Sequence, residues 1–187
     1  ADRTGPASHP PLIRLAPKER TMADNTAWTL RTGPIPGAIG RIVDLHARYY
    51  HRLAGFGLAF ETKVARELCD FCERFDAQRD GMWLAMDGEV IEAAITIDGL
   101  HGRDGGAHLR WFIASDRARG SGVGGALMRQ AMQFCEAQDY RHVYLWTFEG
   151  LDAARSLYER YGFQLVHQSR GTQWGTEVNE QRFDRVR

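Results

Sequence analysis

The residues with the clearest chemical potential form a glycine-rich run, Arg119-Gly120-Ser121-Gly122-Val123-Gly124, between a predicted strand and a predicted helix. Three glycines let the backbone turn tightly and approach a ligand without clashes from Cβ atoms. Successive backbone N–H groups then converge at a helix start, where the helix dipole favours negative charge. The run predicts a site for phosphate or pyrophosphate. A tight turn without any ligand stays open as the alternative, because glycine turns are common.

The position of this run argues against two other phosphate-binding classes. It is not a Walker loop, because no Gly-Lys-Ser/Thr follows the glycines. A dinucleotide-binding fold would carry the turn after the first strand of a parallel βαβ unit. Here the turn follows the fourth predicted strand, after an antiparallel meander.

A second pattern lies downstream, in a predicted helix from Leu151 to Tyr161 that ends at Gly162-Phe163. Helical spacing puts Ala154, Leu157, Tyr158 and Tyr161 on one face. An aromatic residue at this spacing is usually a core residue, so the pattern alone favours packing over chemistry for Tyr158.

The elements that position these patterns follow from hydrophobic periodicity and turn residues. Apolar spacing predicts helices over 39–50 and about 59–75, and another helix directly after the glycine run. Asp87-Gly88 predicts a hairpin between strands at 82–86 and 90–97. A strand at 108–114 has Leu109, Trp111 and Ile113 on one face and His108, Arg110 and Phe112 on the other. Further strands at 28–32, 142–148, 163–168 and about 176–186 give the order β-α-α-β-β-β-α-β-α-β-β, which predicts an α+β domain with a mixed sheet in three layers.

Composition narrows the function classes. The 187 residues balance 24 basic against 24 acidic side chains, which argues against nucleic acid as a partner. No apolar run reaches the length of a membrane span, and the start lacks a signal-peptide pattern, so we expect a cytoplasmic protein without a membrane partner. Residues 1–25 are rich in proline without periodicity, which predicts a flexible arm ahead of one domain over 26–187.

Cys69 and Cys72 form a Cys-x-x-Cys, but no second pair and no histidine at ligand spacing accompanies them. They fall in the apolar-periodic stretch of the second predicted helix. Two cysteines one turn apart there favour a core position over metal binding, since a structural zinc site needs four ligands.

Together the two patterns resemble the GNAT superfamily of N-acetyltransferases, over about Trp28 to the C-terminus. Arg119 to Gly124 fits the Arg/Gln-x-x-Gly-x-Gly/Ala motif of that family, and Leu157-Tyr158 with Gly162-Phe163 fits its Leu-Tyr…Gly-Phe helix. The resemblance implies a three-layer α/β/α fold with a mostly antiparallel sheet of about seven strands. Residues 144–148 and the tail from Trp174 look most like bacterial GNAT domains found alone or fused to MarR-type regulators.

The resemblance implies acetyl-CoA as co-substrate, without a metal. Backbone groups at the end of the fourth strand would align the pantetheine arm, and those of the glycine run would take the pyrophosphate. The implied cofactor-binding residues are Phe112, Ile113, Ala114, Arg119, Gly120, Ser121, Gly122, Val123, Gly124 and Gly125.

The resemblance also implies that Tyr158 protonates, or hydrogen-bonds to, the departing thiolate. Two positions depart from the family pattern. Leu151 stands where many members have an asparagine that contacts CoA, and the fourth strand has no acidic residue to act as base. His108 is a candidate base because imidazole titrates near neutral pH. A half-exposed strand histidine without a catalytic role and a relay through ordered water are the alternatives.

The acceptor pocket implied by the resemblance lies between the first two helices and the last hairpin. Its aromatic candidates are Tyr49, Tyr50, Phe56, Trp146 and Trp174, with Glu61 and Glu180 as acids that could attract a cationic amine. We therefore expect transfer of an acetyl group to a primary amine of a small molecule or peptide. A non-catalytic acyl-CoA-binding sensor or accessory module is the alternative, and a homodimer stays open.

Overall fold

A computed structural model of the chain describes residues 28–187, so the predicted arm at 1–25 lies outside the described residues. Within these residues, the helices and strands follow one another in the predicted order. The elements are β1 (Thr29–Thr32), α1 (Ala38–Ala54), α2 (Leu58–Glu73), β2 (Gly81–Asp87), β3 (Val90–Asp98), β4 (Ala107–Ala114), α3 (Val123–Ala137), β5 (His142–Phe148), α4 (Asp152–Arg160), β6 (Gln164–Gly171) and β7 (Val178–Val186).

The seven strands form a single sheet in the order β1-β2-β3-β4-β5-β7-β6. Neighbours pair antiparallel throughout, with the exception of β4 and β5, which are parallel. One apolar cluster joins the sheet to α3 and α4, and a second joins it to α1 and α2. These features confirm the predicted α+β class and its three-layer α/β/α architecture.

The helices that cover the acceptor side form because each carries one apolar stripe. In α1 the buried stripe consists of Ala38, Ile42, Leu45 and His46, which follow the helical repeat. Gly55 ends α1 in the left-handed conformation and donates its N–H to the carbonyl of His51, which glycine allows without strain. The chain can then reverse into α2.

Strand β4 contains a bulge that changes which side chains face which layer. Its register against β3 shifts near Arg110 and Trp111, and Trp111 has a positive φ of 46°, which is unusual for a large side chain. Leu109 packs in the α3/α4 cluster, whereas Trp111 and Ile113 pack in the α1/α2 cluster. The prediction that these three residues share one face is therefore wrong, because the bulge adds one residue to the alternation.

Strands β4 and β5 separate soon after they begin to pair. Their register includes only Ala107 with Val143 and His108 with Tyr144. Beyond that point β5 continues to pair with β7 through Phe148, and β4 continues to pair with β3 through Ala114. The backbone of β4 from Leu109 onwards therefore lacks a strand partner on its β5 side, which opens a cleft in the sheet.

No helix within residues 28–187 is long and apolar enough to cross a membrane. Over the same residues, no group of histidine, cysteine and acidic side chains is placed to hold a metal ion. Cys69 and Cys72 are unpaired and half-buried on α2, and Cys72 packs against the α1/α2 cluster.

Candidate active site

A cavity of about 310 Å³ occupies the cleft between β4 and β5. Its walls come from α1, α2, β4, β5, α4 and the β6–β7 connection. Seven of the predicted site residues line it: Tyr50, Phe56, His108, Phe112, Trp146, Tyr158 and Trp174. The fold thus brings the predicted catalytic pair and most of the predicted acceptor residues to one place.

The glycine turn lies at the carboxyl end of β4 and begins α3. Gly120 and Gly122 have φ of 76° and 85°, a region that side chains disfavour, and the space where their Cβ atoms would lie is open. Gly122 is the N-cap of α3 and has no side chain to cap it. The N–H groups of Gly120, Gly122, Val123, Gly124 and Gly125 make no backbone hydrogen bond within the described chain. These five donors can serve an anion.

Two residues of the run stabilise the turn itself. The hydroxyl of Ser121 donates to the carbonyl of Ala118 over 2.6 Å and accepts from the indole of Trp28 over 3.1 Å. The side chain of Arg119 donates to the carbonyl of Ala114 over 2.7 Å and packs over the ring of Tyr49. Their side chains therefore hold the shape of the turn, while the glycine N–H groups remain open.

The three β4 residues predicted to align the pantetheine arm have different surroundings. Phe112 packs between the turn and α4, with its ring 6.2 Å from that of Tyr158. Ile113 is buried in the α1/α2 cluster. The carbonyl of Ala114 already accepts from Arg119.

Tyr158 reaches the cavity from α4, where it and Leu157 are the buried residues. Its ring is buried among Phe112, Phe163 and Phe183. Its hydroxyl makes no hydrogen bond to the described part of the chain. Burial, with a smaller effect of the nearby Tyr50 phenol, raises the pKa of Tyr158 well above its ordinary value. The phenol therefore stays protonated at neutral pH and keeps a proton to donate.

His108 lines the same cavity from β4 and stacks on Tyr144 with 4.4 Å between ring centroids. Burial, reinforced by the positive charges of Arg110 and Arg182, lowers the pKa of His108 to about 3. The imidazole is therefore neutral at physiological pH. It can accept a hydrogen bond, but it is a weak proton acceptor.

The predicted acceptor residues form an aromatic wall. Phe56 stacks with Tyr50 at 5.9 Å and with Trp174 at 6.1 Å between ring centroids. Phe148 contacts Tyr50, Phe56 and Trp174 and completes the wall. Trp146 lies at the β6 side, next to His167.

The two predicted acids do not line the cavity. Glu61 is exposed in the first turn of α2. Glu180 is buried behind the β6–β7 connection, where it accepts from the backbone and side-chain amides of Gln173. Leu151 is the N-cap of α4 without a side-chain hydrogen bond, so no side-chain group there replaces the family's asparagine amide.

Six polar side chains that line the cavity were not predicted as site residues: His46, Lys63, Glu67, Arg110, Thr147 and Gln173. His46 is buried, its Nδ1 lies 2.8 Å from the carbonyl of Ile42, and burial lowers its pKa to about 4. Because Nδ1 must then donate, Nε2 is the acceptor nitrogen of a neutral ring. A histidine on the apolar stripe of α1 was the available signal. A second signal was the pair Lys63 and Glu67, which lie one helical turn apart beside the apolar stripe of α2.

Comparison with known proteins yields consistent matches. A family model described as the acetyltransferase (GNAT) family matches residues 41–163. Human N-acetylaspartate synthetase is 29% identical over 138 residues, which cover 72% of this chain and 43% of that protein. The chain spans 40–51% of the length of the curated relatives it matches.

Solved structures share the fold at low sequence identity. An acetyltransferase from Streptococcus agalactiae 2603 superposes with a TM-score of 0.66 at 17% identity, covering 87% of this chain and 99% of its own. The structure of yncA from Salmonella typhimurium, determined with its cofactor acetyl-CoA, gives a TM-score of 0.67 at 12% identity and covers 86% of this chain and 94% of its own.

Proposed function

The chain belongs to the acetyltransferase (GNAT) family, and we propose that it transfers an acetyl group from acetyl-CoA to a primary amine of a small molecule or peptide. One observation carries the proposal. A turn with five open N–H groups lies next to Phe112, whose ring contacts Tyr158 in the cavity wall. An anion site and a buried proton donor thus lie on either side of one aromatic ring.

Acetyl-CoA fits the residues at this end of the cavity. The open space at Gly120 and Gly122 admits a pyrophosphate against the N–H groups and the positive end of α3. The unpaired backbone edge of β4 after His108 offers hydrogen-bonding groups to the pantetheine amides, as a strand partner would. Bound acetyl-CoA supplies a thioester, an activated acetyl group for the amine.

Tyr158 is the proposed proton donor to the departing thiolate. Its raised pKa keeps the phenol protonated, and its hydroxyl, which makes no hydrogen bond to the described chain, has that proton available in the cavity. The proposed role of His108 is narrower than general base. With a pKa near 3, the ring can accept a hydrogen bond from a neutral amine and orient it, but it does not hold the amine's proton. The proton that the amine loses on acetylation returns to the phenolate that Tyr158 becomes when it protonates the thiolate, so one proton passes from the amine to the thiol.

The acceptor is proposed as a small amine on the strength of the cavity and of the relatives. About 310 Å³ bounded by aromatic rings accommodates an amino-acid-sized molecule or the first residue of a peptide. The human relative's name records synthesis of N-acetylaspartate, the N-acetyl derivative of an amino acid.

Several finer expectations from the sequence stay predictions. They are the likeness to GNAT domains fused to MarR-type regulators, a bacterial source, a cytoplasmic location, the absence of a nucleic-acid partner and a homodimer. The alternative of a non-catalytic acyl-CoA-binding module has no support in the family match or the relatives.

Two measurements test the proposal. Acetyl-CoA at 100 times its dissociation constant should stabilise the protein by about 2.7 kcal/mol in a thermal unfolding assay. A panel of amines should then release free CoA thiol in proportion to acetylated product. No stabilisation would remove both the enzyme and the sensor. Stabilisation without turnover of any amine would leave the sensor.

A further inference from the structure

We infer that the amine acceptor also carries a carboxylate, which Arg110 and Lys63 bind on the α2 side of the cavity. This narrows the substrate class to free amino acids and related amino-carboxylic acids and disfavours peptide N-termini. The inference rests on the proposed function, since it concerns the second substrate of the same reaction.

The guanidinium of Arg110 is fixed by neighbouring side chains and still has N–H donors that make no hydrogen bond within the described chain. Its guanidinium packs 4.2 Å over the ring of Trp111, and its Nη2 donates to Glu67. Its Nη1 lies 3.6 Å from Asp98, which is beyond hydrogen-bonding distance, and Asp98 accepts instead from Arg74 over 2.6 Å. Of the five N–H donors of the guanidinium, one is used within the described chain, so a pair remains for a bidentate carboxylate.

The charges that line the cavity leave a positive excess. Among the side chains that line the cavity, the single carboxylate of Glu67 divides its two oxygens between Lys63 and Arg110. Asp98, which lies outside the lining, is 3.6 Å from Arg110 and is shared with Arg74. The pairs are half-buried, with 19% of the Arg110 side chain and 31% of Glu67 exposed. A substrate carboxylate would balance the excess, whereas an acceptor with only a cationic amine would add to it.

Of the two histidines that line the cavity, His108 lies close to the positive charges of two arginines. His46 and His108 are both neutral at physiological pH, so neither contributes a positive or negative charge. Burial, and after it the positive charges of Arg110 and Arg182, lowers the pKa of His108. Arg182 is itself paired with Asp184, and Arg110 with Glu67.

The remaining walls of the cavity offer matching surfaces for the side chain and the amine of an amino acid. The aromatic wall of Tyr50, Phe56, Phe148 and Trp174 offers an apolar surface to a side chain. Nε2 of His46 and the ring of His108 offer acceptors to a neutral amine. Carboxylate, side chain and amine would each meet a matching group.

The test is a set of matched acceptors. Each of the standard L-amino acids is assayed with acetyl-CoA beside its α-carboxamide and its decarboxylated amine, with CoA thiol release as the readout. We expect at least one amino acid to exceed both of its analogues without a carboxylate in kcat/KM by about tenfold or more, as for hydrogen bonds to a charged group. Arg110→Met should reduce that preference to below about threefold by raising KM, and Arg110→Lys should restore part of it.

Further arms separate a binding role from a structural one. Lys63→Met removes the more exposed cation and should weaken the same preference with less risk to folding. Arg66→Met, an exposed arginine on α2, is the matched control and should leave it intact. Binding of the best N-acetylated amino acid against its methyl ester, in the presence of CoA, gives a readout independent of turnover.

The outcomes distinguish the two levels of the proposal. If amides and simple amines are acetylated as fast as amino acids, or if Arg110→Met and Lys63→Met leave the preference unchanged, the carboxylate site is wrong while the acetyltransferase stands. If no amine of any class is acetylated, both fail.

Discussion

The two ends of the cavity recognise their ligands in different ways. The cofactor end is built from one contiguous run, 119–125, and offers backbone N–H groups fixed by the left-handed glycines. The acceptor end is built from side chains of α1, α2, β4 and β5 and offers ionised and aromatic groups. Backbone recognition depends on local conformation, whereas side-chain recognition depends on how distant elements pack. The first should tolerate changes in side chains, and the second should not.

The difference extends to electrostatics. The positive character of the cofactor end comes from peptide dipoles, which do not titrate. The acceptor end depends on Arg110, Lys63 and two histidines whose pKa values are lowered by burial. Substrate binding at the acceptor end should therefore respond to single charge changes and to acidification towards the lowered pKa values of the histidines, while acetyl-CoA binding should respond mainly to backbone geometry.

Gly122→Val should have the largest effect. A β-branched side chain at a φ of 85° costs about 1–2 kcal/mol or forces the turn to change, and either result misaligns several N–H donors at once. We expect kcat/KM for acetyl-CoA to fall by about 1000-fold, in line with the loss of two or more hydrogen bonds to a charged group. Thermal unfolding with and without acetyl-CoA measures the binding loss directly.

Gly37→Val is the matched control, because Gly37 is also a left-handed N-cap, at α1, with open space at its Cβ position. Gly37→Val should lose about as much stability as Gly122→Val, but acetyl-CoA should still raise its unfolding temperature as in the unchanged protein. If both variants lose the rise in unfolding temperature caused by acetyl-CoA to the same extent, the glycine run is a structural turn only.

Tyr158→Phe comes next, with an expected drop in kcat of about 100-fold from the loss of a general acid. Acetyl-CoA binding should be unchanged, because the ring packing with Phe112 and Phe183 is kept. Tyr140→Phe, which removes a hydroxyl bonded to the carbonyl of Arg79, should lower stability without affecting turnover. Full activity of Tyr158→Phe would place the proton donor elsewhere.

The buried histidines predict a pH effect on stability that the cofactor end does not share. Because the folded-state pKa of His46 is about 4 and an unfolded histidine titrates near 6.5, the unfolded chain binds more protons between those values. Stability from the neutral ring is complete above pH 6.5 and is lost as the pH falls towards 4. From about pH 7.5 to about pH 5, His46 alone should cost about 2 kcal/mol.

Urea unfolding at the two pH values measures this loss. His46→Asn, which keeps a donor towards Ile42, should flatten the dependence, and the same change at exposed His101 should not. An equally steep dependence in His46→Asn would mean that other groups carry it.

Leu151→Asn should have the smallest effect. Asparagine is a better N-cap than leucine by about 1 kcal/mol, but Leu151 also packs against the α1/α2 cluster, so the two contributions largely cancel in the free energy of unfolding. An amide there restores the group that many family members direct at CoA, and we expect the dissociation constant of acetyl-CoA to fall by less than about tenfold. Titration of acetyl-CoA by calorimetry measures it. Weaker binding would show that the leucine is the better residue for this turn.

The features that could be predicted from the sequence are those that depend on residues close together in the chain. The element order, the sheet class and the left-handed turn at Gly120 and Gly122 all follow from periodicity and glycine spacing. Arg110 and Glu67 could not be paired in this way, because α2 and β4 meet only through the packing of helices on the sheet. Glu61 and Glu180 were predicted for the acceptor pocket because of their charge. Glu61 instead lies exposed on α2 and Glu180 is buried behind the β6–β7 connection, because the packing of the elements decides which side chains reach the cavity.

The bulge at Trp111 makes the chemistry of the cavity sensitive to a kind of change that substitutions do not sample. Before the bulge, even-numbered side chains of β4 face α1 and α2, and after it the odd-numbered ones do. Deletion of Trp111 would restore regular alternation and leave Arg110 facing α2 and Phe112 facing Tyr158, because the bulge contains one residue in excess. An insertion or deletion elsewhere in β4 would instead move every following side chain of the strand to the opposite face in a single step, whereas point mutations change the lining one side chain at a time.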